Sequence, residues 1–303
     1  MTKKILLISY SQTGQLTQLA DNFIQPLKEV GLDVEEYVVK PLDPYRFPWK
    51  FETFFNTFPE TVHLQPKPIE KPVFQREKYD LIIIAYSVWF LSPAQPITAF
   101  MQTAEAKKIL QDTPVITLIG CRNMWLQAQE KMKKLIADGG GKLVGNVVKV
   151  DQSNAWASFI TTPAWMFTGN KQHFASLPSA GISEAELADM QRFGQALLQK
   201  IQQNQPLDQP LFQGMGAVKI DEKLMMSEKV GHRSFYLWGK LLIKCGQISP
   251  HLRRFMLYFY IVFLVCLILT VVPISAVLKH LLRPLLKKKL AQQKEYYAQP
   301  SGE

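Results

Sequence analysis

The sequence predicts an α/β fold built on a doubly wound parallel sheet of five strands, with a C-terminal helical extension that associates with a membrane. Three observations carry this reading. Four short runs rich in Ile, Val and Leu alternate with amphipathic helical patterns over the first 200 residues, the signature of strands buried on both faces of a parallel sheet. A hydroxyl-rich glycine turn at residues 11–17 stands between the first run and the first helix. Residues 255–278 form a stretch of 24 residues without a single charge.

The buried strands are read at 5–9, 79–86, 114–120 and 143–150, and a weaker alternating one at 33–39 has the pattern of an edge strand. Helices are predicted at 15–29, 93–103, 124–138 and 183–203. This alternation implies the strand order 2-1-3-4-5, in which ligands bind beyond the C-terminal strand ends and the loops after strands 1, 3 and 4 face one pocket. Two insertions interrupt the pattern. The first, at about 41–72, is rich in proline and aromatic residues; the second, at about 152–180, carries Trp156 and Trp165. Structureless loops of that length are uncommon in compact domains unless they serve function. The organisation is then a domain at 1–203, a polar linker at 204–231, a basic amphipathic interfacial helix at 232–254, the apolar segment 255–278 and a basic tail at 279–303.

Charge is unevenly spread. Residues 1–200 carry 21 Lys and Arg against 19 Asp and Glu, whereas residues 201–303 carry 14 against 6. The basic third also holds the most apolar segment, which points to an anionic membrane surface and away from nucleic acid. Cys121, Cys245 and Cys266 are scattered and odd in number, so no disulfide framework is expected. No Cys/His spacing suggests a metal site, and no metal is expected. The N-terminus leads into a strand and not into a cleavable apolar segment, consistent with folding in the cytoplasm.

The turn at residues 11–17 groups the hydroxyls of Ser11, Thr13 and Thr17 around Gly14. Backbone N–H groups at a helix start lack partners within the helix, and the helix dipole places partial positive charge there, so a phosphate monoester can be held without a lysine. The segment has neither the spacing of a dinucleotide fingerprint nor that of a P-loop. A mononucleotide phosphate site and an ordinary helix cap both remain open at this point.

Three loops in order resemble those of flavodoxin-like flavoproteins. Ser11-Gln12-Thr13-Gly14-Gln15-Leu16 resembles the phosphate loop S-x-T-G-x-T, departing at Leu16, with Thr17 one position later. The segment from Tyr86 through Ser87, Val88, Trp89 and Phe90 looks like the flavin-flanking G-T-P-T-W-W-G-x-P, and the resemblance implies Trp89 beside the isoalloxazine. Gly120-Cys121-Arg122-Asn123 stands where the last flavin loop meets the pyrimidine edge, with Arg122 and Asn123 as donors. Cys121 itself reads as a small buried hydrophobe. The resemblance implies FMN as cofactor, with NAD(P)H as electron donor or a quinone or oxygen as acceptor. The insertions, the 120–130 segment and the apolar C-terminus together are similar to a bacterial dialkylresorcinol condensing enzyme and aromatase family. That likeness implies aromatisation of an alkylated cyclohexanedione, with a ketosynthase or acyl carrier protein as partner.

Residues 255–278 exceed the length needed to cross the roughly 30 Å hydrocarbon core. Lys240, Lys244, Arg253 and Arg254 precede the run, and Lys279, Arg283, Lys287, Lys288, Lys289 and Lys294 follow it, so the positive-inside rule does not choose an orientation. Pro273 interrupts the segment, and both a span and a re-entrant return stay open. The expected location is the cytoplasmic face of the plasma membrane. The leading expectation is an FMN oxidoreductase acting on a hydrophobic cyclic substrate, with Tyr86, Trp125, Trp156 and Trp165 as stacking candidates and no residue identified as the general base. A quinone reductase, a one-electron carrier and a flavin-free scaffold for a ketosynthase are the alternatives.

Overall fold

A computed structural model describes residues 3–303, apart from the side chains of residues 155, 156 and 271–286. Elements run β1 (Lys4–Ser9), α1 (Gln15–Glu29), β2 (Asp33–Val38), α2 (Phe51–Val62), β3 (Leu81–Trp89), β4 (Ser92–Pro93), α3 (Gln95–Met101), α4 (Ala104–Leu110), β5 (Pro114–Cys121), α5 (Leu126–Asp138) and β6 (Lys142–Val150). Beyond the sheet come α6 (Ala155–Thr168), α7 (Glu184–Ala188), α8 (Met190–Gln202), α9 (Glu222–Ile248) and α10 (Pro250–Ala298). The parallel strands lie in the order β2-β1-β3-β5-β6, which is the predicted 2-1-3-4-5, and the small β4 pairs antiparallel with β3 off this path. The fold is flavodoxin-like.

Each face of the sheet buries its own core. Ile5 and Leu7 of β1, Leu81 and Ile83 of β3, and Ile116 and Leu118 of β5 pack against α1 and α8. Leu6 and Ile8 of β1 alternate to the other face with Ile82 and Ile84 of β3, under α3, α4 and α5. Helices α1 and α8 approach so closely that a Cβ on Gly194 would stand 2.0 Å from the Phe23 carbonyl oxygen, so only glycine fits there.

Several elements differ from the sequence-based expectation. Strand β3 runs on to Trp89, so Ser87, Val88 and Trp89 are strand residues and not loop. The helix expected at 93–103 is α3, and a further, unexpected helix, α4, follows it, started by Thr103, which accepts from the Ala106 N–H. The helix expected at 183–203 divides at Asp189. Both insertions contain a helix, α2 and α6.

The stretch read as a linker is packed. Leu207, Leu211 and Phe212 are buried in the core, and α9 begins at Glu222. Residues along this stretch also cover the exposed edge of the sheet, since Leu211 N–H donates to the Val144 carbonyl and Val148 N–H to that of Ala217. The end of the basic tail folds in as well. Asn146 N–H donates to Ser301 Oγ at 2.7 Å, and Tyr297 and Ala298 join the core.

Candidate functional site

The parallel register fixes where the site forms. Ser9 pairs with Ala85 and Ser87 with Gly120, so the chains leaving β1, β3 and β5 emerge side by side at one sheet edge. Leu16 binds the first loop to the third: it is 5% exposed, and its Cδ1 would lie 3.2 Å from a Cβ placed on Gly120.

Helix α1 starts directly from Gly14, whose φ of 81° lies in the left-handed region that favours glycine, and no side chain caps the helix. Space around Gly14 is open, with nothing within 4 Å of a Cβ built there. Ser11 Oγ is buried with no hydrogen-bond partner. Thr13 and Thr17 are exposed. The side chains of Gln12 and Gln15 are engaged elsewhere. Gln15 exchanges two hydrogen bonds with the Ile182 backbone, at 2.9 and 3.0 Å. Gln12 Oε1 accepts from Trp49 Nε1 at 2.9 Å, while its amide donates to the Tyr45 and Arg46 carbonyls.

Trp89 stands edge-on in an aromatic cluster, with ring centroids 5.1 Å from Tyr45, 5.5 Å from Trp49 and 6.2 Å from Tyr10. The first insertion therefore walls the space beside the turn at residues 11–17. After Trp89 the chain reverses through Phe90 and Leu91, whose φ values of 48° and 57° are both positive, as a two-residue hairpin turn requires. Asn-Gly usually takes such a turn, and two bulky residues there cost about 1–2 kcal/mol each. Packing compensates: the Phe90 ring lies 4.8 Å from Phe54 and 5.4 Å from Phe58, and Leu91 is buried.

In the third loop, Arg122 Nε is buried without a partner, and its guanidinium lies 5.5 Å from the centre of the Phe159 ring of α6. Burial draws the Arg122 pKa down and the Asp151 carboxylate works against that shift. Asn123 is half-buried. Burial holds the Cys121 thiol far above its ordinary range, with the Glu228 charge adding to the effect, so it is no nucleophile.

Three of the four stacking candidates are placed otherwise than expected. Tyr86 is fully buried, and its hydroxyl donates to Gln129 Oε1 at 2.6 Å, so its ring is core and offers no face to a ligand. Trp125 is 4% exposed and packs at the start of α5. Trp165 is 8% exposed, edge-on to Phe47, with Lys171 over its ring. The Trp156 side chain lies outside the described residues.

Sequence reasoning passed over Tyr45, Trp49 and Phe159, each of which meets a predicted loop only through tertiary packing. It also passed over a buried charged cluster behind the third loop. Glu228 of α9 accepts from the Gln127 N–H at 2.6 Å and so caps α5; burial lifts its pKa to about 7, with the Gln127 and Leu126 N–H groups opposing that shift. Lys131 donates to the Val62 carbonyl and to Ser92 Oγ, and burial lowers its pKa to about 8. His232, whose Nε2 is buried without a partner, is lowered to about 4 by burial and then by Lys131.

No family model matches the chain, and no curated protein does. Among solved structures, a flavoprotein in complex with FMN from Lactobacillus acidophilus NCFM is 22% identical over 48% of this chain and 93% of that one, with a TM-score of 0.40. A flavodoxin from Streptococcus pneumoniae TIGR4 is 13% identical over 65% of this chain and 98% of its own, with a TM-score of 0.37. An NAD(P)H:quinone oxidoreductase from Methanothermobacter marburgensis is 11% identical over 65% and 98%, with a TM-score of 0.30.

Proposed function

We propose that the chain binds FMN across the loops after β1, β3 and β5 and acts as an oxidoreductase on a hydrophobic cyclic substrate. One observation carries the reading: the buried, unpartnered Ser11 Oγ lies in the loop that leads to an uncapped helix start at left-handed Gly14. A buried hydroxyl without a partner costs about 1–3 kcal/mol, and a phosphate oxygen at this position removes that cost. The residues present fit the cofactor. Ser11, Thr13 and the first N–H groups of α1 would hold the phosphate, Trp89 would flank the ring, and Arg122 would face its polar edge.

When bound, flavin exchanges a hydride equivalent with substrate. The protein's own part is to bind and orient the two ring systems and to keep water out, for which the aromatic wall of Tyr45, Trp49, Phe54 and Trp89 is suited. In the finer reading the substrate is an alkylated cyclohexanedione. Loss of two electrons and two protons converts its ring to a resorcinol, and a quinone or oxygen accepts the electrons. The work would take place at the cytoplasmic face of the plasma membrane.

The visible spectrum of the purified protein tests the cofactor. A flavin band that survives gel filtration is expected, and Gly14→Asp should abolish it by setting a carboxylate against the phosphate, while Gly14→Asn, similar in shape and in backbone strain but uncharged, should lose less of it. No flavin band after FMN addition would leave only the scaffold reading. Reduced flavin that appears on adding a cyclohexanedione under argon, with resorcinol as product, distinguishes the aromatase from a quinone reductase fed by NAD(P)H.

A further inference from the structure

Helix α10 cannot be straight. Lys229 and Trp238 are nine positions apart on α9, about 14 Å along its axis. Trp238 packs on Tyr260 of α10 at a ring distance of 5.0 Å, and the Lys229 ammonium lies 5.5 Å from the Tyr297 ring. Tyr260 and Tyr297 are 37 positions apart, which a straight helix would stretch to about 56 Å. The reach of four side chains falls well short of the roughly 42 Å difference. A second pair of contacts agrees. Arg253 grips Glu60 through both terminal nitrogens, at 2.6 and 2.8 Å, while Tyr296 donates to Glu130 at 2.7 Å; Glu130 neighbours Lys131, which itself reaches the Val62 carbonyl. Phe263 still packs on Trp238 at 5.2 Å and Leu264 on the same cluster, so the chain leaves the domain after about residue 264 and returns to it before about 290. The sequence carries Pro273 and Pro284 within that interval.

The departing limb is apolar and exposed. Phe255, Phe259, Val262, Val265 and Leu269 are each at least half exposed, and the 21-residue stretch Pro250–Thr270 has the length and composition of a membrane span. The returning limb begins with exposed Lys287, Lys288 and Lys289. On the departing side Lys240 and Lys244 are exposed too. Cations thus border the apolar loop on both sides, at the level of the domain.

We infer that the C-terminal segment is a re-entrant hairpin that enters an anionic bilayer from one side without crossing it, with both of its flanks and the sheet domain on that side. An excursion of about 26 residues that goes out and back reaches about 13 residues deep, roughly 20 Å at most, against a hydrocarbon core of about 30 Å. That depth ends short of the far side of the core, so the segment does not cross it. The basic flanks meet anionic headgroups. This inference concerns the membrane contact alone and stands whether or not the loops bind flavin.

The test uses the full chain reconstituted from outside onto vesicles containing one third phosphatidylglycerol. In a Cys266→Ser background, single cysteines replace Leu241 and Gln292, one on each flank, and folding is checked by circular dichroism. Both should react with a membrane-impermeant maleimide added outside. Protection of one flank until the vesicles are opened would overturn the hairpin in favour of a span. In the wild type, an environment-sensitive label on exposed Cys266 should shift to the blue on vesicle addition and be quenched by brominated acyl chains. An unchanged spectrum would overturn the lipid contact itself.

Discussion

Leu16 stands where the resembling phosphate loops carry threonine, and its surroundings supply the reason: the side chain is buried between α1 and Gly120 and joins two loops by packing. The loop before α1 has Ser11 as its buried hydroxyl instead. Because Ser11 Oγ bonds nothing among the described residues, Ser11→Ala should leave the melting temperature of the flavin-free protein unchanged or slightly raised. It should weaken FMN by about 10-fold or more, the loss of one hydrogen bond to a charged group at about 1.5–3 kcal/mol. Fluorescence titration of the apoprotein measures this, and equal affinity in the two proteins would remove Ser11 from the site.

At the scale of elements, α2 is the joint of the molecule. One face of it carries Phe54, 5.6 Å from Trp49 of the site wall, and one turn further on Phe58, stacked on Tyr260 of α10 at 5.0 Å and 11°. The wall of the site and the base of the hairpin thus share one helix. Its principal polar tie is Arg253, which meets Glu60 and Asn56. Arg253→Ala removes a bidentate ion pair that is largely shielded from solvent, and should cost about 1–3 kcal/mol of stability while making α2 and the first turn of α10 more accessible. Hydrogen exchange should show faster exchange confined to residues 51–62 and 250–264. Exchange unchanged there would mean that the aromatic stack alone holds the joint.

For the molecule as a whole, the C-terminal third is part of the globular body, and its buried charges tie stability to pH. Glu228, lifted to about 7, favours its protonated form on folding, so its contribution is fully present below about pH 4.5 and is lost as pH rises to about 7. His232, lowered to about 4, runs the opposite way, with stability rising between about pH 4 and 6.5. The two slopes oppose each other over most of that range, which predicts a nearly flat melting temperature in the wild type from about pH 4.5 to 6.5. Glu228→Gln removes one slope, so the variant should gain stability steadily with pH across this window. Thermal melts at half-unit intervals test the pair, and parallel wild-type and variant curves would show that Glu228 is ionised throughout.

The strand order, the uncapped glycine start of α1 and the apolar C-terminal segment were legible in the sequence, because each rests on local periodicity or local backbone preference. The buried runs repeat, Gly14 takes a positive φ that other residues resist, and an uncharged stretch needs no partner to be recognised. Where the loops find their partners was not legible. Tyr86 has the composition of a ligand-stacking residue, yet Gln129 from α5 draws it into the core; Gln12 reads as a phosphate contact, yet Trp49 engages it from 37 residues away. The polar stretch 204–231 reads as a linker because its apolar residues lack a period, and only tertiary packing, along the open edge of β6 for residues 207–217, gives them a place. The sequence by itself determined the sheet, the position of the glycine turn that opens α1 and the existence of an apolar extension. Tertiary structure alone decided which aromatic residues wall the site and that both ends of the extension return to one domain, because contacts between residues distant in the chain depend on the packed whole and leave no local periodicity behind.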